Sequence, residues 1–321
     1  MAGTCIMVFA LMLYGCQKPD FELAVHECAS MPVGRACAAA FVVNDKAYVF
    51  GGRDSVGATC NDLWLYTPSS NSWVSIGATP LKPRLHPAAC VHNGKVYLGL
   101  GFDGKYGRDT CYHRDWWEFT PSTQTWRQLA DYPNNYTDRA TAFAADGELY
   151  VGYGFFWNYR RDMFCYNIAD NRWDSIDVEV AFHGFPTRSF GGTGCSCGNR
   201  HFMGTGYYRR SLNWWGELVD GSHWEQRADV PGRSRTLAAS AATERYVYLT
   251  GGIHYGGVNT NGEVLQDIRR YDPEKDKWHW VAVMPQRLLN HVCFAIKGKV
   301  YWGLGEDDNW HVSNKLHCIE E

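Results

Sequence analysis

Six arginines recur at regular spacing along the chain, each shortly after a proline and just before a run of small residues. They are Arg35, Arg84, Arg139, Arg188, Arg235 and Arg287. A guanidinium holds a carboxylate or sulfate in planar, often two-point geometry. The recurrence predicts an anion-binding site if the fold brings these side chains together. The competing interpretation is that most of them are structural and bond neighbouring carbonyls and carboxylates.

Segments rich in aromatic, arginine and amide side chains follow a glycine in each repeat, at 53–61, 102–115, 155–162, 207–216, 253–266 and 306–314. Exposed aromatic rings stack on the apolar faces of sugars, while Asn, Asp and Arg bond hydroxyls and carboxylates. The segments therefore predict a carbohydrate site, most naturally for an acidic sugar. The candidate ligand-binding residues, besides the six arginines, are Tyr106, Arg108, Trp157, Tyr159, Arg160, Tyr207, Tyr208, Arg209, Tyr255 and Trp310.

His254, Glu306 and Asp307 are the candidates for proton transfer in these segments, and the sequence does not choose among them. His291 and His311 fall near the same face. Loop carboxylates more often serve solubility, and a lone histidine is more often a hydrogen-bonded structural group than a ligand. The cysteine spacing contains no CxxC pair, so no zinc ribbon is expected. We predict no metal and no cofactor.

Composition excludes several classes of protein. Lys and Arg number 31 against 34 Asp and Glu, a net charge of −3, so no nucleic-acid partner is expected. The mean hydropathy of −0.37 excludes a multi-span membrane protein. The 14 Trp, 19 Tyr, 15 Phe and 33 Gly among 321 residues favour many short strands joined by tight turns.

An aromatic residue followed four positions later by glycine recurs six times. The pairs are Tyr48/Gly52, Tyr97/Gly101, Tyr150/Gly154, Phe202/Gly206, Tyr248/Gly252 and Tyr301/Gly305. A second marker keeps the same period, an aromatic placed seven residues before a tryptophan, in Tyr66–Trp73, Phe119–Trp126, Tyr166–Trp173 and Tyr271–Trp278. The fourth repeat is irregular and reaches Trp224 by a shorter loop. Such self-similarity is the signature of a repeat architecture.

Each repeat predicts four strands, with small residues innermost and tryptophan on the outermost strand. Six such units converging on an axis form an all-β, six-bladed β-propeller. The sixth repeat has no tryptophan strand of its own. Residues 22–27 stand where the other repeats have a fourth strand, and we expect them to complete blade six and close the ring.

Ten cysteines follow Cys16, and most of them are expected to be buried thiols. Cys37, Cys90 and Cys293 lie in small-residue runs and are expected to be buried thiols. Cys60 and Cys111 occupy corresponding loops of neighbouring repeats and are candidates for a disulfide.

The N-terminus resembles a bacterial lipoprotein signal. An uncharged run, TCIMVFALMLYG, is followed by Cys16, in a pattern similar to the loose lipobox of Bacteroidetes. By this resemblance residues 1–16 are a signal peptide, Cys16 is acylated, and residues 17–321 form the propeller. The protein is then expected outside the cytoplasm, in the periplasm or on the outer membrane of a Gram-negative bacterium, with a lipid anchor as its only membrane contact. Residues 2–3 supply no basic n-region.

The double-glycine and Tyr-x₆-Trp signatures resemble kelch repeats over about residues 21–319. Among kelch proteins the chain is similar in architecture and export to the bacterial N-acetylneuraminate mutarotase/epimerase group. That resemblance implies an arginine for the sialic acid carboxylate. It also implies one group that removes the anomeric hydroxyl proton and another that protonates the ring oxygen.

Two other functions compete with a sugar enzyme. A galactose-oxidase-like copper site would require a longer chain with flanking domains. A non-catalytic surface lipoprotein that binds glycan or a protein partner has similar weight, since axial arginines can also hold acidic peptides. A cytoplasmic adaptor is disfavoured by the lipobox and by the absence of an additional adaptor domain.

Overall fold

Six four-stranded antiparallel sheets surround one axis in the computed structural model, which describes residues 19–105, 111–133, 137–156, 158–159, 162–176, 188–219 and 223–321. The innermost strand of each sheet contacts the innermost strands of both neighbours, so the ring is closed. The predicted all-β, six-bladed propeller is confirmed. Within the described ranges, no helix has the length and apolarity needed to span a bilayer.

Each blade consists of an inner, a second, a third and an outer strand. The inner strands are Ala39–Val43, Ala88–His92, Thr141–Ala145, Thr193–Cys197, Ala239–Ala242 and Val292–Ile296. The second strands are Lys46–Phe50, Lys95–Gly99, Glu148–Gly152, Arg200–Gly204, Val247–Thr250 and Lys299–Gly303. The third strands are Asp62–Thr67, Trp116–Thr120, Met163–Asn167, Trp215–Val219, Asp267–Asp272 and Leu316–Glu320. The outer strands are Ser72–Ala78, Thr125–Gln128, Arg172–Ile176, His223–Arg227, Lys277–Val283 and, in blade six, Val25–Cys28.

Three short hairpins project beyond the blades from the segments that follow the repeated glycines. They pair Phe155–Phe156 with Asn158–Tyr159, Tyr207–Tyr208 with Arg210–Ser211, and Ile253–His254 with Glu263–Val264. All three lie on the same end of the propeller, which we call the loop face.

A hydrogen bond between consecutive blades recurs at all six seams of the ring. The N–H of the repeated glycine donates to a carbonyl at the entrance of the next blade, over 2.6–3.1 Å. We call the accepting residue the seam position. The pairs are Gly52 and Arg84, Gly101 and Thr137, Gly154 and Ser189, Gly206 and Arg235, Gly252 and Leu288, and Gly305 and Arg35.

Only glycine fits the donor position of this bond. Its φ lies between +80° and +102° in every blade, a region that side chains disfavour. A Cβ on Gly101 would lie 2.3 Å from the Leu85 carbonyl oxygen, and one on Gly206 would lie 2.1 Å from Ser189 Oγ. The repeated glycine is therefore required both by the turn and by the close approach of the next backbone.

The repeated aromatic–tryptophan pairs connect neighbouring blades near their outer strands. In blade one, Tyr66 lies opposite Trp73, whose Nε1 donates to the Ala29 carbonyl over 2.8 Å. The Asn71 carboxamide oxygen accepts from the Tyr66 hydroxyl and from the Ala29 N–H, both over 2.8 Å. The same contacts recur in blade three (Tyr166, Trp173, Asn171, Ala130) and blade five (Tyr271, Trp278, Asp276, Ala228).

The N-terminal segment closes the ring, as predicted, with slightly different bounds. Val25–Cys28 pairs antiparallel with Leu316–Glu320, in a register that sets Val25 opposite Ile319. Before that strand, Leu23 N–H donates to the Val281 carbonyl of blade five over 2.8 Å. The segment therefore bridges the last two blades.

Three of the predicted arginines join strands within a blade. Arg84 and Arg235 are fully buried, and each makes a two-point ion pair with an aspartate beside the third strand, Asp115 or Asp267, at 2.8–2.9 Å. Arg35 is also buried and pairs with Asp62 through a single hydrogen bond of 2.8 Å. Burial alone would raise the pKa of Asp267, but Arg235 and then Arg269 lower it to about 2.

The ten cysteines of the described residues form no disulfide with one another. Cys37, Cys90 and Cys293 are buried, as expected. The suggested Cys60–Cys111 disulfide is absent from the structure. Cys111 packs in an apolar cluster with Phe102 and Tyr112, while the Cys60 thiol donates to the Ala58 carbonyl.

A chain that begins at residue 29 tests ring closure. It loses the Val25–Cys28 strand and the packing of Leu23 and Val25 against blades five and six. We expect a loss of roughly 5 kcal/mol of unfolding free energy, or a Tm lower by about 10 °C, measured by circular dichroism. A chain that begins at residue 19 is the control. Equal melting temperatures for the two chains would contradict the closure.

Replacement of Arg84 by Ala tests the structural role of the buried arginines. It leaves the Asp115 carboxylate without its partner and should cost about 3 kcal/mol of unfolding free energy in urea titrations. The exposed Arg188 is the control, and Arg188→Ala should change stability by less than about 0.5 kcal/mol. A similar small effect for both variants would refute the assignment.

Candidate functional site

The axis of the propeller is lined at the loop face by six residues, one from each blade, which we call the axial ring. They are Cys37, His86, Arg139, Gly191, Leu237 and Asn290, with φ between +49° and +62°. Five backbone hydrogen bonds of 2.8–3.2 Å run from ring residue to ring residue, including Gly191 N–H to the Arg139 carbonyl. The backbone thus fixes the ring, and its side chains differ in every blade.

The six predicted arginines are not equivalent, which corrects the sequence alignment of the repeats. Arg35, Arg84 and Arg235 occupy the seam position, where blades three, four and six have Thr137, Ser189 and Leu288. Arg139 lies two residues later, on the axial ring. Arg188 and Arg287 lie one residue before the seam position; Arg188 is exposed, and Arg287 donates to the Val264 carbonyl over 2.7 Å.

Arg139 forms the base of a cleft of about 410 Å³ on the loop face, which we call the aromatic cleft. The cleft is built by blades three to six. Its lining comprises Arg139, Phe155, Phe190, Tyr207, Thr236, Leu237, Tyr255, Val258, Thr260, Asn290 and Trp310.

Four aromatic rings form a continuous wall of the cleft. Phe155, Phe190, Tyr207 and Tyr255 contact one another in sequence, with centroids 5.4–5.7 Å apart. The Arg139 Cζ lies 5.7 Å from the Phe190 centroid, within cation–π range. Trp310 is 55% exposed and Val258 68% exposed, so the apolar surface continues to solvent. A guanidinium beside aromatic faces suits a ligand with an anionic group and an apolar face.

A buried charge cluster surrounds the base of the cleft. The Glu306 carboxylate, 1% exposed, contacts Arg53 and accepts from Asn290 Nδ2 over 2.8 Å. Burial, and then the charges of Arg139 and Arg53, hold the pKa of His86 well below its usual value, so the ring is neutral.

Asp138 is a counter-ion of Arg139 and contacts its guanidinium. The carboxyl group is fully buried, and burial raises its pKa to about 6 against the attraction of Arg139. The guanidinium therefore lies beside a carboxyl group that releases its proton with difficulty.

The other predicted site residues are distributed as follows. Tyr207, Tyr255 and Trp310 line the cleft with Arg139, and Glu306 lies beside Asn290 at its base. Tyr208 is half-buried, and the Cζ of the exposed Arg209 lies 5.5 Å from the centroid of the Tyr208 ring. Of Tyr159 only the backbone is described, and Cys16, Tyr106, Arg108, Trp157 and Arg160 lie outside the described residues.

Two of the three acid–base candidates have structural hydrogen bonds. His254 Nδ1 lies 2.8 Å from the Ser234 carbonyl oxygen. The Asp307 carboxylate accepts from the N–H groups of Asn309 and His311. Burial alone would raise the pKa of Asp307, but these hydrogen bonds lower it. Neither side chain lines the aromatic cleft.

Five residues in or beside the cleft were not among the predicted ones, namely Arg53, Asp138, Phe155, Phe190 and Asn290. Phe190 and Asn290 follow the seam position, so alignment of the repeats on that position would have identified them. No pattern in the sequence distinguishes Arg53 or Asp138, because their burial depends on the loops that cover them.

A second cavity, of about 460 Å³, opens along the axis on the opposite face. Small inner-strand side chains such as Ala40, Ala142 and Ala242 dominate its lining. It has no counterpart to the Arg139 cluster. In the part of the chain that the structure describes, no group of His, Cys, Asp and Glu side chains is arranged to hold a metal ion.

Comparison with known proteins places the chain among kelch proteins. Kelch-like protein 23 from Pongo abelii is 25% identical over 257 residues, which is 78% of this chain and 42% of the relative. N-acetylneuraminate epimerase from Yersinia enterocolitica is 31% identical over 126 residues, 38% of this chain and 30% of that enzyme. The Shigella sonnei epimerase is 33% identical over 89 residues, 27% of this chain and 23% of that enzyme. The chain spans less than half the length of these relatives.

The family described as the KLHDC2/KLHL20/DRC7 kelch-repeats domain matches residues 20–206. The match covers more than half of the chain and includes four of the six repeated glycines. The seam geometry of those glycines continues unchanged through the remaining blades. The chain belongs to the kelch-repeat family.

Proposed function

We propose that the aromatic cleft binds a carboxylated sugar, with its carboxylate on Arg139 and an apolar ring face on Phe190 and Tyr207. The observation that carries the proposal is the position of Arg139, the one arginine among the predicted six that lines the cleft. Phe190 and Tyr207 supply stacking surface beside its guanidinium. The local similarity to N-acetylneuraminate epimerases, whose name denotes a carboxylated sugar, supports this ligand class.

Interconversion of sugar anomers is the reaction that we propose for this site. The reaction needs a proton acceptor at the anomeric hydroxyl and a proton donor at the ring oxygen. Among the predicted candidates only Glu306 bonds a lining residue of the cleft, Asn290, and its carboxylate also contacts Arg53. Residues 1–18 lie outside the described residues. Export of the protein and lipidation at Cys16 are therefore proposals as well.

A protein partner with an acidic segment is the second candidate. The observation in its favour is the exposure of Trp310 and Val258 at the rim, which extends the apolar surface beyond the size of a monosaccharide. Arg139 would then hold a carboxylate of the peptide. The candidates differ in whether the free sugar is sufficient for binding.

Freshly dissolved N-acetylneuraminate tests the first candidate. We expect line broadening of the sugar signals in NMR spectra and faster anomer interconversion than in buffer. Arg139→Ala should weaken binding about tenfold or more, because the carboxylate loses a charged partner. The exposed arginine variant Arg188→Ala is the control and should bind as the parent protein does.

The outcomes separate the candidates. Binding without acceleration would leave a sugar-binding protein and remove the catalytic proposal. Equal binding by the parent protein and by Arg139→Ala would contradict the site. No binding of the sugar, with binding of a glutamate-rich peptide that Arg139→Ala abolishes, would favour the protein partner.

Replacement of Asp138 by Asn tests the charge balance at Arg139. The folded pKa of about 6 lies above the usual 3.8, so the native fold favours the protonated carboxyl group and loses stability as the pH rises from 4 to 6. The uncharged carboxamide of the variant would resemble the protonated form. Asp138→Asn should therefore stabilise the protein by as much as about 3 kcal/mol at pH 7.5, and the gain should vanish near pH 4. Thermal unfolding at both pH values measures it, and destabilisation at pH 7.5 would contradict the account.

A further inference from the structure

A small cavity continues from the base of the aromatic cleft along the axis. It has a volume of about 130 Å³ and shares Arg139, Leu237 and Asn290 with the cleft. A water molecule occupies about 30 Å³ of liquid, so the cavity has room for a substituent of a few heavy atoms. A ligand in the cleft can extend such a group into it.

One polar side chain interrupts an otherwise small and apolar lining at corresponding positions of the blades. These positions directly follow the axial ring and are Ala38, Pro87, Ala140, Gly192, Ala238 and His291. His291 is 6% exposed. Blade six therefore differs from the other five in the lining of this cavity.

We assign the tautomer of His291 from the hydrogen bonds of Thr250. The Thr250 hydroxyl has one proton and donates it to the Ala239 carbonyl over 3.1 Å. The 2.7 Å contact between Thr250 Oγ1 and His291 Nε2 then requires the imidazole to donate. This leaves Nδ1 as an acceptor, and it has no hydrogen-bond partner among the described residues. Burial lowers the pKa of His291 to about 3, so the ring is neutral at physiological pH.

Asn290 adds a second acceptor beside the first. Its Nδ2 donates to the Glu306 carboxylate over 2.8 Å, which identifies the other atom of the amide as the oxygen. That Oδ1 is buried and also has no partner among the described residues. Buried acceptors of this kind are costly unless a donor reaches them.

The two acceptors lie across the axis from Arg139. In a ring of six blades, blade three stands opposite blade six. Arg139 belongs to blade three, and Asn290 and His291 belong to blade six. The cavity therefore has a cationic donor on one side and two uncharged acceptors on the other.

We propose that Asn290 Oδ1 and His291 Nδ1 form a donor-recognition subsite that selects ligands carrying a hydroxyl or amide N–H opposite the carboxylate held by Arg139. This inference rests on the proposed function, since the carboxylate end is the same. It adds a specificity that charge and stacking do not supply. A carboxylate ligand without such a donor would leave both acceptors without a hydrogen bond and should bind more weakly.

Three probes separate the two ends of the ligand. Glucuronate has a carboxylate and ring hydroxyls, cyclohexanecarboxylate has the carboxylate and a ring without hydroxyls, and methyl glucoside has hydroxyls without charge. We expect calorimetry to show glucuronate bound at least about tenfold more tightly than cyclohexanecarboxylate, and methyl glucoside bound most weakly.

Two variants test the acceptors. His291→Ala introduces the residue that blades one, three and five have at this position. Asn290→Leu introduces the residue of blade five, so both substitutions are compatible with the ring. Each should lower the preference for glucuronate over cyclohexanecarboxylate at least about threefold while cyclohexanecarboxylate affinity is retained. His317→Ala is the control, because His317 Nδ1 is also buried without a partner among the described residues but lies outside the cleft.

The outcomes are distinct. A preference that falls in His291→Ala and Asn290→Leu but not in His317→Ala supports the subsite. Equal affinity of the parent protein for glucuronate and cyclohexanecarboxylate, with both lost in Arg139→Ala, would overturn the subsite and leave the proposed function intact. Failure of both carboxylates to bind would overturn the proposed function and the subsite with it.

Discussion

The hydrogen bond from the repeated glycine to the next blade is the constraint on which the rest of the structure depends. It joins every pair of neighbouring blades, and it requires a backbone conformation and a closeness of approach that exclude a side chain. Because the second strand of one blade is thereby tied to the entrance of the next, the bond also fixes where each axial ring residue lies. The aromatic–tryptophan contacts join the blades at greater radius in three of these seams.

In this arrangement the repeated backbone determines the fold, and the side chains that differ from blade to blade determine what the axial ring can bind. The backbone of the axial ring is nearly the same in all blades, while its side chains are a thiol, an imidazole, a guanidinium, a hydrogen, an isobutyl group and a carboxamide. A site arises where the repeats differ rather than where they agree. The buried pairs Arg84–Asp115 and Arg235–Asp267 recur and hold strands together, whereas Arg139, Asn290 and His291 occur once each and face the axis. Because blades three and six lie opposite each other, the cation of Arg139 lies on one side of the axis and the uncharged acceptors of Asn290 and His291 lie on the other.

The sequence was sufficient for the fold because its markers recur, the aromatic–glycine pair six times and the aromatic–tryptophan pair four times. Gly52 and its counterparts, and Tyr66 with Trp73, identify strands, turns and ring order without any knowledge of long-range contacts. The site could be predicted only in part. Tyr207, Tyr255 and Trp310 were identifiable as loop aromatics, but Arg139 was grouped with Arg84 by residue type, although it lies two residues beyond the seam position. Asp138 and Arg53 acquire their roles through burial and through contacts between blades, which no local pattern encodes.

A crystal structure of the protein soaked with N-acetylneuraminate is the most direct test of the central claim, that a ligand carboxylate binds Arg139 at the axis of the loop face. The account predicts carboxylate oxygens within hydrogen-bond distance of the Arg139 guanidinium and the sugar against the wall of Phe190 and Tyr207. A sugar bound in the cavity of the opposite face, or bound on the loop face with its carboxylate away from Arg139, would contradict it.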